Sequence, residues 1–161
     1  MSTLRLQFER EYEFPSVIVW DALVDPDLVV GWLAQSRIVP TLGGEYDLVW
    51  LHRPSHPTTF GRIVRIDPGA LLRVETDDLG AFEFELRPVR GGSRGRNTNL
   101  LVTVEFDAKY PQAARIGADW KTNLDQLEDL LRGRPVDWGN WARDRESSWL
   151  QHLYEEQNST A

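Results

Sequence analysis

Arg10 is the charged residue of this chain best placed to do chemistry. Leu4, Leu6, Phe8, Tyr12 and Phe14 alternate with Arg5, Gln7, Glu9, Glu11 and Glu13, the period of a half-buried strand with one polar face. Arg10 alone breaks the apolar set. An inward guanidinium is costly unless it meets a carboxylate or a bound anion. It therefore either reaches the rim or pairs with Glu45, Asp47 or Glu83, or it holds the anionic head group of a ligand in its planar fork.

A second group of residues offers flat apolar surface rather than charge. Trp32, Trp50, Phe60, Phe84 and Trp120 could line a pocket with Gly117, a glycine placed one turn before Trp120. Tyr46 or Arg10 would orient a polar end of a bound molecule. Aromatic side chains of this kind also make ordinary cores, so burial alone does not distinguish a pocket from packing.

Other chemistry is poorly supported. His52 and His56 have the spacing of a helical metal pair, but Pro54 and Pro57 make residues 52–57 a loop, and both histidines are expected to face solvent. The glycines and arginines of residues 91–95 join two strands instead of opening a helix, so they form a hairpin and not a phosphate loop. Ser36, Ser93 and Ser147 have no base and orienting group beside them. The pairs Asp77–Asp78 and Glu155–Glu156 read as solvated surface. No catalytic residue, metal site or cofactor is expected.

The elements that must position these residues are clear in outline. Pro15 ends the first strand, because it has no amide hydrogen for the ladder. A short helix over residues 16–24 follows. Asp25–Pro26 opens another, with Asp25 as the N-cap and Pro26 preset for the first turn. Gly43–Gly44 turns into a strand in which Tyr46, Leu48 and Trp50 share one face. Further strands cover residues 58–66, 71–76, 81–87 and 99–106, giving a meander of about six strands with short antiparallel links. Residues 108–132 then form one long helix, with Ala113, Ile116, Gly117, Trp120, Leu124, Leu127 and Leu131 on its buried face. Such segregation of helices from strands is α+β. Asp119, Lys121, Asn123, Asp125, Glu128, Asp129 and Arg132 fall on its polar sides.

Composition narrows the partners. The balance of 25 acidic against 18 basic residues, with no polybasic tract, argues against nucleic acid and anionic membranes. The absence of cysteine removes disulfides, thiolate metal sites and a cysteine nucleophile. No signal-like or membrane-length apolar run is present, and a cytoplasmic protein is expected. Beyond Gly133 the chain changes character: residues 134–161 hold Trp138, Trp141 and Trp149, three of seven tryptophans. They are expected to be largely buried with Leu153, as an extension of a domain over residues 1–133 and not as a separate domain. Either the same domain or a second copy in a homodimer would cover them.

The order and spacing of several short motifs resemble the START/Bet v 1-like helix-grip superfamily (SRPBCC), and within it the group related to the C-terminal domain of the Hsp90 ATPase activator. These motifs are Arg10–Pro15, Val19–Leu23, Asp25–Pro26, Trp32, Gly43–Gly44, Gly61 with Ile66–Pro68, and Trp120 with Leu124–Leu127. The resemblance covers roughly residues 3–133. It implies a helix-grip fold: a curved antiparallel sheet wrapped around a long C-terminal helix, with two short helices after the first strand. It also implies a ligand cavity between sheet and helix.

Three functions follow from that implication. The leading one is non-catalytic binding of a small hydrophobic or amphipathic molecule in the cavity. The second is a protein-interaction module of chaperone-regulator type. The third is a cyclase- or hydrolase-like enzyme acting on an aromatic or polyketide-type substrate, which needs an interior acid or base that the sequence does not supply.

Overall fold

A computed structural model describes residues 3–91, 96–107 and 112–159. Strand β1 (Thr3–Tyr12) is followed by α1 (Ser16–Val24) and α2 (Pro26–Val29). The turn between these helices follows from local chemistry: the Asp25 carboxylate accepts from the Asp27 amide at 3.0 Å, ahead of Pro26. Next come β2 (Gln35–Ile38), β3 (Tyr46–Val49), β4 (Thr58–Thr59), β5 (Gly61–Asp67), β6 (Leu71–Thr76), β7 (Ala81–Arg90) and β8 (Arg96–Asp107). The chain ends in α3 (Ala113–Leu131), a 3-10 turn (Trp138–Asn140) and α4 (Trp141–Ser159).

All strand pairs are antiparallel. One sheet has the order β1-β8-β7-β6-β5 and the other β2-β3-β4, and a bridge between Glu45 and Arg62 joins them. The run expected as one strand over residues 58–66 is divided at Phe60. Thr58 and Thr59 pair with β3, whereas Gly61 onward pairs with β6. Glycine is required at this crossing. A Cβ on Gly61 would lie 2.4 Å from the Tyr46 carbonyl oxygen and 2.8 Å from Val74.

The sheet grips α3, as expected of the helix-grip α+β class. Trp120, Leu124 and Leu127 of α3 are buried against inward residues of the strands, among them Phe82, Phe84, Leu100 and Val102. At about 1.5 Å per residue, the described helix is roughly 28 Å long; the expected start at residues 108–111 lies outside the described residues. The opposite side of α3 is not open to water. There α4 covers it, so Ala118, Thr122, Asn123 and Gln126 are also buried. The extension thus packs on its own chain. Its tryptophans and Leu153 are partly covered there, and Leu150 and Tyr154 face outward at 50% and 64% exposure.

Candidate functional site

Between sheet and long helix, aromatic side chains pack directly on one another. Trp32, Tyr46, Phe84 and Trp120 do converge there, but around Phe82 and with ring centroids 5.4–6.4 Å apart, the separations of direct aromatic packing. The polar ends are also satisfied. The Trp32 indole donates to the Ala22 carbonyl at 2.7 Å, and the Tyr46 hydroxyl donates to the Leu23 carbonyl at 2.6 Å. Burial pushes the Tyr46 and Tyr12 hydroxyls well above the ordinary phenol range, so both act as neutral donors and not as acids or bases. Among the described residues, the cleft beside Phe60 and the hollow beside Asp119 both lie outside the sheet–helix interface.

Four other residues expected in that cavity are elsewhere, Trp50 among them. Arg10 does point toward α3, but its partner is Asp125, 2.7 Å away, rather than Glu45, Asp47 or Glu83. The second oxygen of Asp125 meets His152 of α4, also at 2.7 Å, so Arg10 ties β1 through α3 to the extension. Gly117 lies about 60° around the helix from Trp120, at the margin of the sheet-facing stripe. The Glu156 carboxylate fills the space beside it, 2.7 Å from where a Cβ would stand, and Lys121 holds that carboxylate at 2.8 Å. Phe60 is 58% exposed, because the strand changes sheets at this residue and turns its ring outward. It borders an open cleft of about 320 Å³ with Glu45, Asp47, Arg62 and Glu75.

The concave site that does involve buried polar groups is a seam on the far side of α3. It lies beneath α4, the 3-10 turn and the loop 51–57. His52, Asp119, Thr122, Asn123, Trp141 and Trp149 surround a void of about 10 Å³, enough for about one water molecule. The His52 ring stands 6.0 Å from Trp50, 6.1 Å from Trp138 and 5.1 Å from Trp141. This overturns the expectation of a solvent-facing His52, whereas His56 is exposed as expected. Trp50, assigned to the interior pocket, has its indole on Thr59 at 2.8 Å and its ring face toward this loop.

The polar floor is ordered by α3 and α4. Asp119 accepts from the Trp149 indole at 2.7 Å and from Arg53 at 3.1 Å. Gln126 accepts from the Trp141 indole at 2.9 Å while donating to the Trp32 carbonyl at 2.7 Å. The Thr122 hydroxyl is buried and has no hydrogen-bond partner. Burial raises the Asp119 carboxyl above the usual carboxylate range, against the indole and Arg53 that lower it. His52 moves the other way, pushed down to about 4, first by burial and then by Arg53.

These shifts predict a pH dependence. A neutral His52 contributes stability that is fully present above about pH 6.5 and lost as pH falls toward 4, since the unfolded chain takes up the proton first. The contribution is about 1–2 kcal/mol once solvent at the half-exposed ring is allowed for. Asp119 shifts in the opposite sense and offsets part of it. Urea midpoints at pH 7 and pH 4.5 should therefore fall further for the wild type than for His52→Phe; equal falls would remove His52 from the account.

The fold has relatives. Residues 13–132 match the model of the family described as Activator of Hsp90 ATPase homolog 1-like protein, and the chain belongs to that family of helix-grip proteins. No curated protein sequence matches it. Among solved structures, it is similar to protein MLL2253 of Mesorhizobium loti, with a TM-score of 0.65 and 19% identity over 83% of this chain and 100% of that one. Conserved protein of unknown function EF2215 of Enterococcus faecalis gives 0.68 and 15% over 97% and 86%. CalU16 of Micromonospora echinospora gives 0.62 and 22% over 93% and 88%. Such identities speak for the fold. The 97% share leaves no room to omit the 19 residues of α4, so the likeness to the E. faecalis protein extends past the family core.

Proposed function

We propose that this protein is a non-catalytic binding module for a small amphipathic molecule. Its site is the tryptophan-walled seam beneath the C-terminal extension and not the sheet–helix core. The observation that carries the reading is the Thr122 hydroxyl, buried without a partner beside a void walled by indole rings. A buried polar group of this kind is costly unless something satisfies it. Aromatic walls with a few fixed polar groups are the general make-up of a small-molecule site, and the void of about 10 Å³ must open to admit one. Against the enzyme reading, Arg10 is spent on Asp125 and the buried tyrosines are fixed as donors. A cytoplasmic location fits such a module, and no described helix is long and apolar enough to cross a membrane.

The protein-docking reading rests on a separate feature, the exposed Phe60 at its acidic cleft. One titration distinguishes the seam from the sheet–helix core. With 2-naphthalenemethanol as a neutral probe, the indole N–H resonances of Trp138, Trp141 and Trp149 should shift saturably, while those of Trp32 and Trp120 stay in place. Shifts confined to Trp32 and Trp120 would return the site to the core. The absence of any saturable shift would sink small-molecule binding at the seam.

A further inference from the structure

The seam is already occupied by two of the protein's own side chains, and their chemistry indicates what could replace them. The Arg53 guanidinium lies 5.8 Å from the centre of the Trp50 ring and donates to Asp119 at 3.1 Å. Beside it, the flat His52 ring packs among Trp50, Trp138 and Trp141. A planar cation and a planar ring, adjacent in sequence, thus fill an aromatic cage with a carboxylate at one side. Cages of this make-up attract cations through the ring quadrupoles, most strongly with tryptophan.

Both side chains sit on one short loop, 51–57, which is held in a strained form. Ser55 and His56 have φ of 68° and 43°, in the left-handed region that non-glycine residues rarely adopt. Such a conformation is disfavoured for residues with a side chain. The loop's own backbone bonds are few: Trp50 donates to Pro57 at 2.9 Å, Arg53 to Trp50 at 3.4 Å and His56 to Arg53 at 3.2 Å. Pro54 and Pro57 restrict its backbone. The attachment to Asp119 is itself weak, because the Arg53 side chain is 43% exposed. Lifting the loop would relax the two left-handed residues and vacate the volume of an imidazole and a guanidinium. Asp119 would then keep only the Trp149 indole, with Arg115 more distant across the Trp149 ring at 5.8 Å. A partly buried carboxylate left in that state calls for another cation.

We propose that the ligand is a small organic cation carrying a flat ring, such as an aryl amidinium, guanidinium or amine. Its charge takes the place of Arg53 on Asp119, and its ring takes the place of His52 against Trp138 and Trp141. Loop 51–57 is the lid, and Arg53 is an intramolecular competitor for the site. This rests on the seam being the binding site, and it adds the charge and shape of what binds.

Benzamidine is the probe, with benzyl alcohol as its uncharged counterpart, followed by calorimetry and by the indole N–H resonances of Trp138, Trp141 and Trp149. Arg53→Ala, an exposed position, removes the competitor. It should bind benzamidine about fivefold more tightly than the wild type, the weight of an exposed ion pair, with little change for benzyl alcohol. Adding Asp119→Asn on that background should abolish the gain for benzamidine and spare benzyl alcohol, whose retained response shows that the cage is still formed. Equal benzamidine affinity in the wild type and Arg53→Ala would overturn the proposal. So would a gain that survives Asp119→Asn. Should the neutral naphthyl probe shift the three indoles while benzamidine does nothing, the cation class fails and the seam stands; silence from both probes overturns the two together.

Discussion

Replacing Leu124 with aspartate should abolish the cooperative thermal melt and the near-ultraviolet circular dichroism of the protein. Leu124 is fully buried in the middle of α3, and its carbonyl accepts from the buried Tyr12 hydroxyl at 2.9 Å, which fixes the helix to β1. A carboxylate introduced there would lose its hydration with no cation to meet it, since Arg10 is already held by Asp125. The cost of an unpaired charge in such a site, about 4 kcal/mol or more, consumes most of the stability of an ordinary domain. Leu124→Ala provides the scale, at about 3 kcal/mol for the cavity alone. A variant with aspartate that melts within a few degrees of the wild type would mean that α3 does not sit in the sheet as described.

The frame of this fold was legible because its signals are local. The alternation from Leu4 to Phe14 needs only period two, and it yields β1 with Arg10 on the helix side. Asp25 and Pro26 carry their own capping chemistry, so α2 begins where expected. The seven-residue apolar rhythm from Ala113 to Leu131 needs only the helix period. What was not legible depends on segments far apart in sequence. The run from Thr58 to Ile66 keeps one strand-like pattern across a change of sheet, and only Gly61 hints at the crossing. Of the five aromatics expected together, Trp32, Phe84 and Trp120 meet in the core, whereas Trp50 turns to the loop and Phe60 to solvent, and no sequence pattern says whether gathered rings leave a hole or close it.

The far side of α3 was harder still. Asp119, Asn123 and Asp125 look like a solvated face until a second helix covers them, and α4 does so without burying any residue fully. Its contacts are ion pairs and indole hydrogen bonds, such as those from Trp149 to Asp119 and from Arg145 to Asp129, which leave little hydrophobic periodicity to read. For the same reason His52 looked like a loop residue in water. The signal that pointed toward the seam was the crowding of Trp138, Trp141 and Trp149 into a polar tail, which required a surface for them to cover.

Truncation after Gly133 should lower the melting temperature by about 10 °C or more and leave a folded chain of unchanged oligomeric state. The segment joining α3 to α4 is anchored on the other side of the molecule: the Val136 amide donates to the Gly31 carbonyl at 2.9 Å, and the Trp138 indole donates to the Val30 carbonyl at 2.6 Å. Along α3, removal deletes the indole bonds to Gln126 and Asp119, the His152 contact of Asp125 and the Arg145 contact of Asp129. Thr122, Asn123 and Gln126 would then regain water, so the hydrogen-bond losses are largely recovered. What is not recovered is the half-buried surface of three tryptophans and Leu153, together about 3 kcal/mol or more at ordinary burial coefficients, which in a domain of this size is a shift of roughly that many degrees. The sheet-facing side of α3 is untouched, so the fold survives. Light scattering and thermal melts of the two chains read the outcome directly. A dimer of the full-length protein that becomes a monomer on truncation would make the extension an interface, and an unchanged melt would mean that the indole contacts on α3 contribute nothing to stability.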